Sequence, residues 1–325
     1  MPPPPVSRSP RGFALNVLLV RAGALGDLVL LRRAIAGLKD AGHGVSLMAP
    51  AGPARALLGS GASEVDHVLD WDDPAFLPLF ADGDGDPLAP RAVARLQAFS
   101  ACIAYTTRRH FVAGLERLIP RVIAHPPAPT PGFHAAEWFS EPARALGTKP
   151  AAIPPDLETT AAEEAEAEAF LAGRLPPGFL AIHPGSGALA KNWPSERFTE
   201  LAAELGPEPF LLIDGPADER AVAALATGTA SFVRAHGLSL RTLGAVLRRA
   251  ALFVGNDSGV AHLAAAWGTP TLAIFGPTDP TTWSPVGRRV AVVRSPSASM
   301  SDLSQAAVAQ AARALRSAVR APRGG

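Results

Sequence analysis

The stretch LFVGNDSGVAHLAAAWGTPTLAIFGPTDP, residues 252–280, holds two apolar runs separated by a polar turn and a helical segment. LFVGN (252–256) and TLAIF (271–275) are short enough to be buried strands. SGVAHLAAAW between them reads as a helix, with Asp257 or Ser258 as its cap. A helix joining two such strands returns the second parallel to the first, because antiparallel neighbours need only a tight turn. Parallel strands are covered on both faces and read as continuous apolar runs. The stretch therefore predicts an α/β fold.

The same alternation runs outward in both directions. Upstream lie the apolar runs FLAIH (179–183), FLLID (210–214) and FVRAH (232–236), and downstream VAVV (290–293). The helical segments between them are SERFTELAAEL, ADERAVAALA and SLRTLGAVLRRA. The first half repeats the theme with NVLLV (16–20), GVSLMA (44–49), HVLD (67–70), ACIAY (101–105) and RVIA (121–124). Within LGDLVLLRRAIAGLKDAG, Leu28, Leu31, Ile35 and Leu38 share one helical face. Residues 71–90, with DGDGDP, read as a loop. The proline-dense segment 125–156 reads as a linker region, with a helical piece at Ala135–Leu146. The segment 302–320 reads as an alanine-rich helix whose arginines favour its C-terminal end.

Two domains are expected from 325 residues, a length at which single cores stop growing. The expected division is a disordered tail at 1–13, a Rossmann-like domain at 14–155, a second at 156–300, and a C-terminal helix and tail at 301–325. Two such parallel-sheet domains in tandem are expected to face a central cleft. The formal charge of +1 provides no global drive toward nucleic acid. Cys102 is the sole cysteine, so no internal disulfide forms, and its apolar setting suits a core residue in a reducing compartment. No apolar run reaches the roughly 18 residues of a membrane span. FALNVLLV runs into Arg21 without a cleavage signal and reads as a first strand, so a cytoplasmic protein is expected.

Ligands of open parallel sheets gather outside the carboxyl ends of the strands, and four unusual turns fall there. RAGALGD (21–27) offers Gly23 and Gly26 for a tight turn and puts Asp27 at a helix start, as a helix-capping carboxylate or as a functional acid. HPGSGALAKNWP (183–194) exposes backbone amides and adds Lys191, a combination that suits phosphate, although a surface lysine after such a loop is common. DGPADER (214–220) carries Asp218 and Glu219, placed either to hold ribose hydroxyls or to sit in a solvated first helical turn. GNDSGVAH (255–262) presents the amides of Ser258, Gly259 and Val260 to an anion. His262 lies on the same helical face as Asp257 and Ser258, in either a ligand or a structural role. Together the turns point to a phosphorylated nucleotide in the second half and a carboxylate from the first.

LLVRAGALGDLVLLRRAIAGLK (18–39), AIHPGSGALAKNWPSERFTELAAEL (181–205) and FVGNDSGVAHLAAAWGTPTLAIFGPTDP (253–280) resemble glycosyltransferase family 9, the lipopolysaccharide ADP-heptose heptosyltransferases. The likeness runs along nearly the whole chain and is weakest over 50–160. It implies a GT-B architecture, with the nucleotide sugar in the C-terminal domain and the acceptor facing the N-terminal one. It also implies inversion at the sugar without an essential metal or any cofactor beyond the donor. Carried across, Asp27 resembles the catalytic base. Ser186, Gly187 and Lys191, with Ser258, Gly259 and Val260, resemble the diphosphate clamp. Asp218 or Glu219 resembles the ribose-binding acid, and Leu238 falls where a base-packing residue is expected. Asp257 and His262 match positions that contact the donor. The chain departs from the family pattern after ACIAY, where TTRRH (106–110) replaces a D-x-Q-G-like turn. Arg108 and Arg109 are there either to read an acidic acceptor or as a solvated loop.

The implied partners are a nucleotide-sugar donor, ADP-heptose first, and a glycolipid or oligosaccharide acceptor. The arginine-bearing segments permit peripheral contact with the cytoplasmic face of the inner membrane. Three rivals stand beside this reading. One is a relative using another nucleotide sugar. A nicotinamide oxidoreductase is the second, disfavoured by the missing G-x-G-x-x-G. The third is a nucleotide-binding module without catalysis.

Overall fold

NVLLV forms β1 (Asn16–Val20), and GVSLMA, HVLD, ACIAY and VIAH form β2 (Gly44–Ala49), β3 (His67–Asp70), β4 (Ala101–Tyr105) and β5 (Val122–His125). They pair in parallel in the order β3-β2-β1-β4-β5. The central strand is held in register on both sides, Leu18 lying opposite Ser46 of β2 and Cys102 of β4. β4 is buried throughout, as an apolar run covered on both faces should be. Burial pushes the Cys102 thiol well above its ordinary range, which leaves it an inert core residue.

The computed structural model describes residues 14–81, 88–206, 209–215, 218, 221–222 and 231–320. The expected tail at 1–13, most of the ADERAVAALA helix and all of DGDGDP lie outside them. The chain divides into two compact units at Leu157 and Glu158, beside the expected boundary. In the second unit β6 (Leu180–His183), β7 (Phe210–Ile213), β8 (Phe232–Ala235), β9 (Leu252–Asn256), β10 (Thr271–Phe275) and β11 (Val290–Arg294) form a six-stranded sheet. All neighbours are parallel, in the order β11-β10-β9-β6-β7-β8.

Several local expectations change. LGDLVLLRRAIAGLKDAG is two helices, Leu25–Val29 and Arg32–Asp40, broken at Leu30 and Leu31. The apolar face survives the break, since Leu28, Leu31, Ile35 and Leu38 are all buried. Residues 71–90 are less irregular than their composition suggests. Asp73 caps a 3-10 turn over Pro74–Leu79, which buries Phe76 and Leu79. Two helices lie outside the elements expected from the sequence. One is Pro90–Gln97. The other is Ala161–Leu171, where Ala167 is the buried residue and the reciprocal Thr160–Glu163 capping box was the available signal.

The C-terminal helix Gln305–Arg320 is part of the second unit's core rather than an appendage. Its Val308, Ala309 and Ala312 join Ile182, Trp193, Leu252 and Leu272 in one buried cluster. Trp193 donates through its indole N–H to the Leu303 carbonyl at 3.0 Å, fastening the segment that leads into this helix. In the first unit, buried Arg32 donates to Ser63 at 3.2 Å and to the Pro155 carbonyl, tying down the proline-rich end of that unit. Its guanidinium pKa falls to about 10, because desolvation outweighs the nearby charges of Asp156 and Glu64. Among the described residues, no helix is long and apolar enough to cross a membrane.

Candidate functional site

The strand orders locate the sites. In the first sheet the chain runs outward from β1 through β2 to β3, then returns to lay β4 on the other side of β1. The switch point lies between β1 and β4, where a crevice opens outside the carboxyl ends. RAGALGD follows β1 and TTRRH follows β4. The second sheet repeats the device with β6 and β9 flanking the switch, and the turns after them are HPGSGALAKNWP and DSG. Four turns rich in polar and glycine residues therefore occupy the two places where such sheets bind ligands.

In the first unit, Asp27 is the third residue of the helix Leu25–Val29. One carboxylate oxygen, Oδ2, accepts the Ala24 amide at 3.2 Å, a reach-back of capping-box type. The other, Oδ1, accepts from the Arg21 guanidinium at 2.7 Å. The carboxylate remains open to solvent, its side chain 27% exposed against 4% for Arg21. Gly23 is required for a reason other than the turn freedom first assigned to it. Its φ is not positive, but a Cβ there would lie 2.7 Å from the Cβ of Asp27. Arg108 and Arg109 begin the helix after β4, both exposed, and no ion pair forms on either among the described residues.

In the second unit, Asn256 at the end of β9 is fully buried and ties down the loop after β6 at both ends. Its side chain donates to the Pro184 carbonyl at 2.7 Å and accepts the Trp193 amide at 3.1 Å. Within that loop the Ser186 hydroxyl lies 2.6 Å from Asn192 Oδ1 and 2.7 Å from the Ala188 carbonyl. Gly187 lies in open space, so backbone there is accessible to a ligand. Lys191 reaches across to Asp257 Oδ2 at 2.8 Å. Thr278 donates to the same oxygen at 2.6 Å from the turn after β10. GPTDP thus serves the same place as NDSG: its threonine fixes the aspartate that holds the lysine. Gly276 lets that turn pass, since a Cβ there would sit 2.3 Å from the Met300 sulfur.

Ser258 caps the helix Gly259–Ala266, its hydroxyl accepting the Ala261 amide at 3.4 Å. This leaves the first amides of the helix, including Gly259 and Val260, as donors for an anion. His262 is buried one turn further in, and Leu238 is half-buried after β8.

Asp218, one of the two expected ribose-binding acids, sits in a buried network. It is 6% exposed, and its Oδ2 accepts from the Gly215 amide at 2.8 Å and lies 3.0 Å from His183 Nε2. His183 Nδ1 in turn lies 3.1 Å from the Ser258 hydroxyl, so the imidazole bridges the acid to the helix cap. Burial pushes the Asp218 carboxyl up, but the His183 bond and charge and the Gly215 amide prevail and hold it below its ordinary value. Gly185 must be glycine because a Cβ would collide with Asp218 Oδ1 at 1.7 Å. Glu219, the other candidate, lies outside the described residues.

Arg21, His183, Asn256 and Thr278 are the site residues that sequence reasoning missed. Asn256 and His183 stood inside the quoted turns, but nothing in a single sequence says which polar residue of a turn faces inward. The Arg21–Asp27 spacing spans a strand end and a helix start, and matches neither periodicity.

The two parallel-sheet α/β units fit the GT-B class of glycosyltransferase folds. The solved structure of the E. coli ADP-heptose lipopolysaccharide heptosyltransferase II superposes with a TM-score of 0.74 at 19% identity, over 94% of this chain and all of that one. E. coli heptosyltransferase WaaC with ADP superposes at 0.67 and 23% identity, over 93% and 100%. The model of glycosyltransferase family 9 (heptosyltransferase) matches residues 98–312. The chain belongs to that family. Lipopolysaccharide heptosyltransferase 1 of E. coli O18:K1:H7 is 34% identical over 123 residues, 37% of this chain and 38% of that protein. The chain thus aligns with well under half the length of this curated relative.

Proposed function

We propose that the protein is an inverting glycosyltransferase that moves a heptose, or a related sugar, from an ADP-sugar to a lipopolysaccharide core or related glycolipid acceptor. The observation that carries the reading is the Lys191–Asp257–Thr278 cluster beside the helix start at Ser258. A cation fixed next to free helix amides is a diphosphate site in chemical terms. In the reaction, the acceptor hydroxyl gives its proton to the Asp27 carboxylate while its oxygen bonds the anomeric carbon. The bond from that carbon to the diphosphate breaks, and the electron pair leaves with the nucleoside diphosphate. Lys191 and the amides of Gly259 and Val260 take up the charge that gathers there, as preorganised donors do. Ser186 and Gly187 shape the loop over the diphosphate, and Asp257 holds Lys191. Leu238 packs on the base, with His262 and Glu219 completing the nucleoside end. His183 and Asp218 brace the helix cap. Family membership supports the choice of heptose, and the relatives' names support the lipopolysaccharide acceptor. Contact with the cytoplasmic face of the inner membrane follows from that acceptor.

A thermal-shift screen tests the donor. ADP and ADP-sugars are expected to raise the melting temperature, and NAD and NADP to leave it unchanged, since binding to the folded state alone stabilises it. Stabilisation by NAD alone would overturn the transferase reading. Preference for UDP or GDP would keep the chemistry and remove the heptose.

Arg108 and Arg109 supply the acceptor side of the proposal, since they crown the second strand of the first switch point. Reversing both to glutamate is expected to raise the acceptor KM while ADP affinity holds. Guanidinium pairs with an acidic group through two parallel bonds, and a carboxylate in its place repels. Unchanged acceptor kinetics would return the two arginines to the solvent.

A further inference from the structure

Arg21 is a buried cation whose one charged partner among the described residues is the Asp27 carboxylate. Its guanidinium stacks on Phe139 at 3.9 Å from the ring centroid and faces Tyr105 at 5.7 Å. One terminal nitrogen donates to the Pro127 carbonyl at 2.9 Å, the other to Asp27 Oδ1 at 2.7 Å. Its Nε–H is buried and has no partner among the described residues. Taking a guanidinium out of water is costly unless its partner is fixed, so the arrangement makes sense only if the carboxylate is meant to stay in one place. Asp27 has its Oδ1 committed to Arg21, and its Oδ2 makes one longer bond to the Ala24 amide.

We infer that Arg21 is the positioning residue for the base: it commits Oδ1 and leaves Oδ2 to receive the acceptor's proton. The inference rests on the reading of Asp27 as that base. In the step, the acceptor O–H bond breaks and its proton moves to Oδ2. The Arg21 contact to Oδ1 is kept throughout, so the carboxyl does not rotate as it is protonated. The fork between Pro127 and Asp27 is what fixes the angle, and a lysine, as a point charge, cannot reproduce it.

The other ionisable groups around the pair do not compete. Burial pushes the Tyr105 hydroxyl up, and it donates to the Phe139 carbonyl. His125 lies edge-on to Tyr105, and burial holds it below its ordinary value. Cys102 is likewise kept neutral by burial.

The test measures sugar transfer from an ADP-sugar for Arg21→Met, Arg21→Lys, Asp27→Asn and the double variant Arg21→Met/Asp27→Asn, with ADP binding and melting temperature alongside. Arg21→Met is expected to lower kcat about tenfold through lost orientation. ADP affinity is expected to hold. Arg21→Lys should leave kcat below native, because a point charge does not hold the carboxylate angle. In the Asp27→Asn background, Arg21→Met should cost no further rate, since the arginine acts through the base. A merely structural arginine would lower both backgrounds alike. If Met is not tolerated at position 21, the folded Lys variant decides: native kcat in it overturns the inference. Native rate in Arg21→Met, with Asp27→Asn inactive, also overturns the inference and leaves the base standing. A near-native Asp27→Asn would remove the base and the inference with it.

Discussion

Replacing Asp27 by asparagine is expected to lower kcat about a hundredfold or more while melting temperature and ADP affinity hold. The two roles open to this residue make opposite forecasts. As a helix-start acceptor, asparagine can still take the Ala24 amide through its side-chain oxygen, so a capping role would leave rate and stability near native. As a base, the group must accept a proton, and an amide does not. The variant has a single side-chain oxygen for either Arg21 or the exposed Ala24 amide, so one of the two bonds is lost while the fold around it should survive. A steady-state comparison of kcat in the two proteins, with a melting curve for each, settles the choice. Near-native kcat would leave the base unidentified.

The second large effect is at Lys191. Its ammonium has three donors and gives one to Asp257, which leaves the others for a diphosphate. A charge-assisted hydrogen bond is worth roughly 1.5–3 kcal/mol, so Lys191→Ala should weaken donor binding by about 10- to 150-fold. The structure pushes this toward the upper end. Asp257, 8% exposed at its side chain, would be left with Thr278 and no cation, facing an incoming anion. Converting Asp257 to asparagine in the alanine background should therefore recover part of the loss, a coupling read directly from a double-mutant cycle. Titration calorimetry with ADP provides each affinity. Unchanged affinity in Lys191→Ala would mean that the lysine serves only to hold Asp257.

Much of the fold was legible because it was written in short apolar runs. β1, β4, β9 and β10 are runs of that kind, and each fell within a residue or so of its expected place. What failed was whatever lacked an apolar pattern. The helix Ala161–Leu171 packs mainly by alanine and by its capping box, which period counting does not register. The C-terminal helix looked detachable because alanines do not advertise burial, yet Ala309 and Ala312 are fully buried. At the site, the turns were legible as turns because glycine and small polar residues collect where ligands approach. Their wiring was not. Asn256 and His183 work through contacts 35 to 75 residues away in sequence, and no local signal encodes a partner at that range. Gly23 and Gly185 read as flexible turn residues, whereas the atoms of Asp27 and Asp218 simply leave no room for a side chain.

The strand orders bear on how such a protein can be altered over generations. Each working turn hangs from the end of a strand whose register is fixed by its neighbours, as β1 is by β2 and β4. The turn itself adds little to that register. TTRRH is mostly exposed, and of its residues Thr106 and Arg108 bond only to the local backbone or to one another. A new sequence at 106–110 would leave the sheet untouched. The loop at 184–193 has no such freedom, because Asn256, Trp193 and Asp257 tie it into the second unit's core. On the proposed function, the acceptor end of the reaction is thus carried on an exchangeable part and the donor end on the chassis. Descendants of this scaffold can drift at the first while inheriting the second intact.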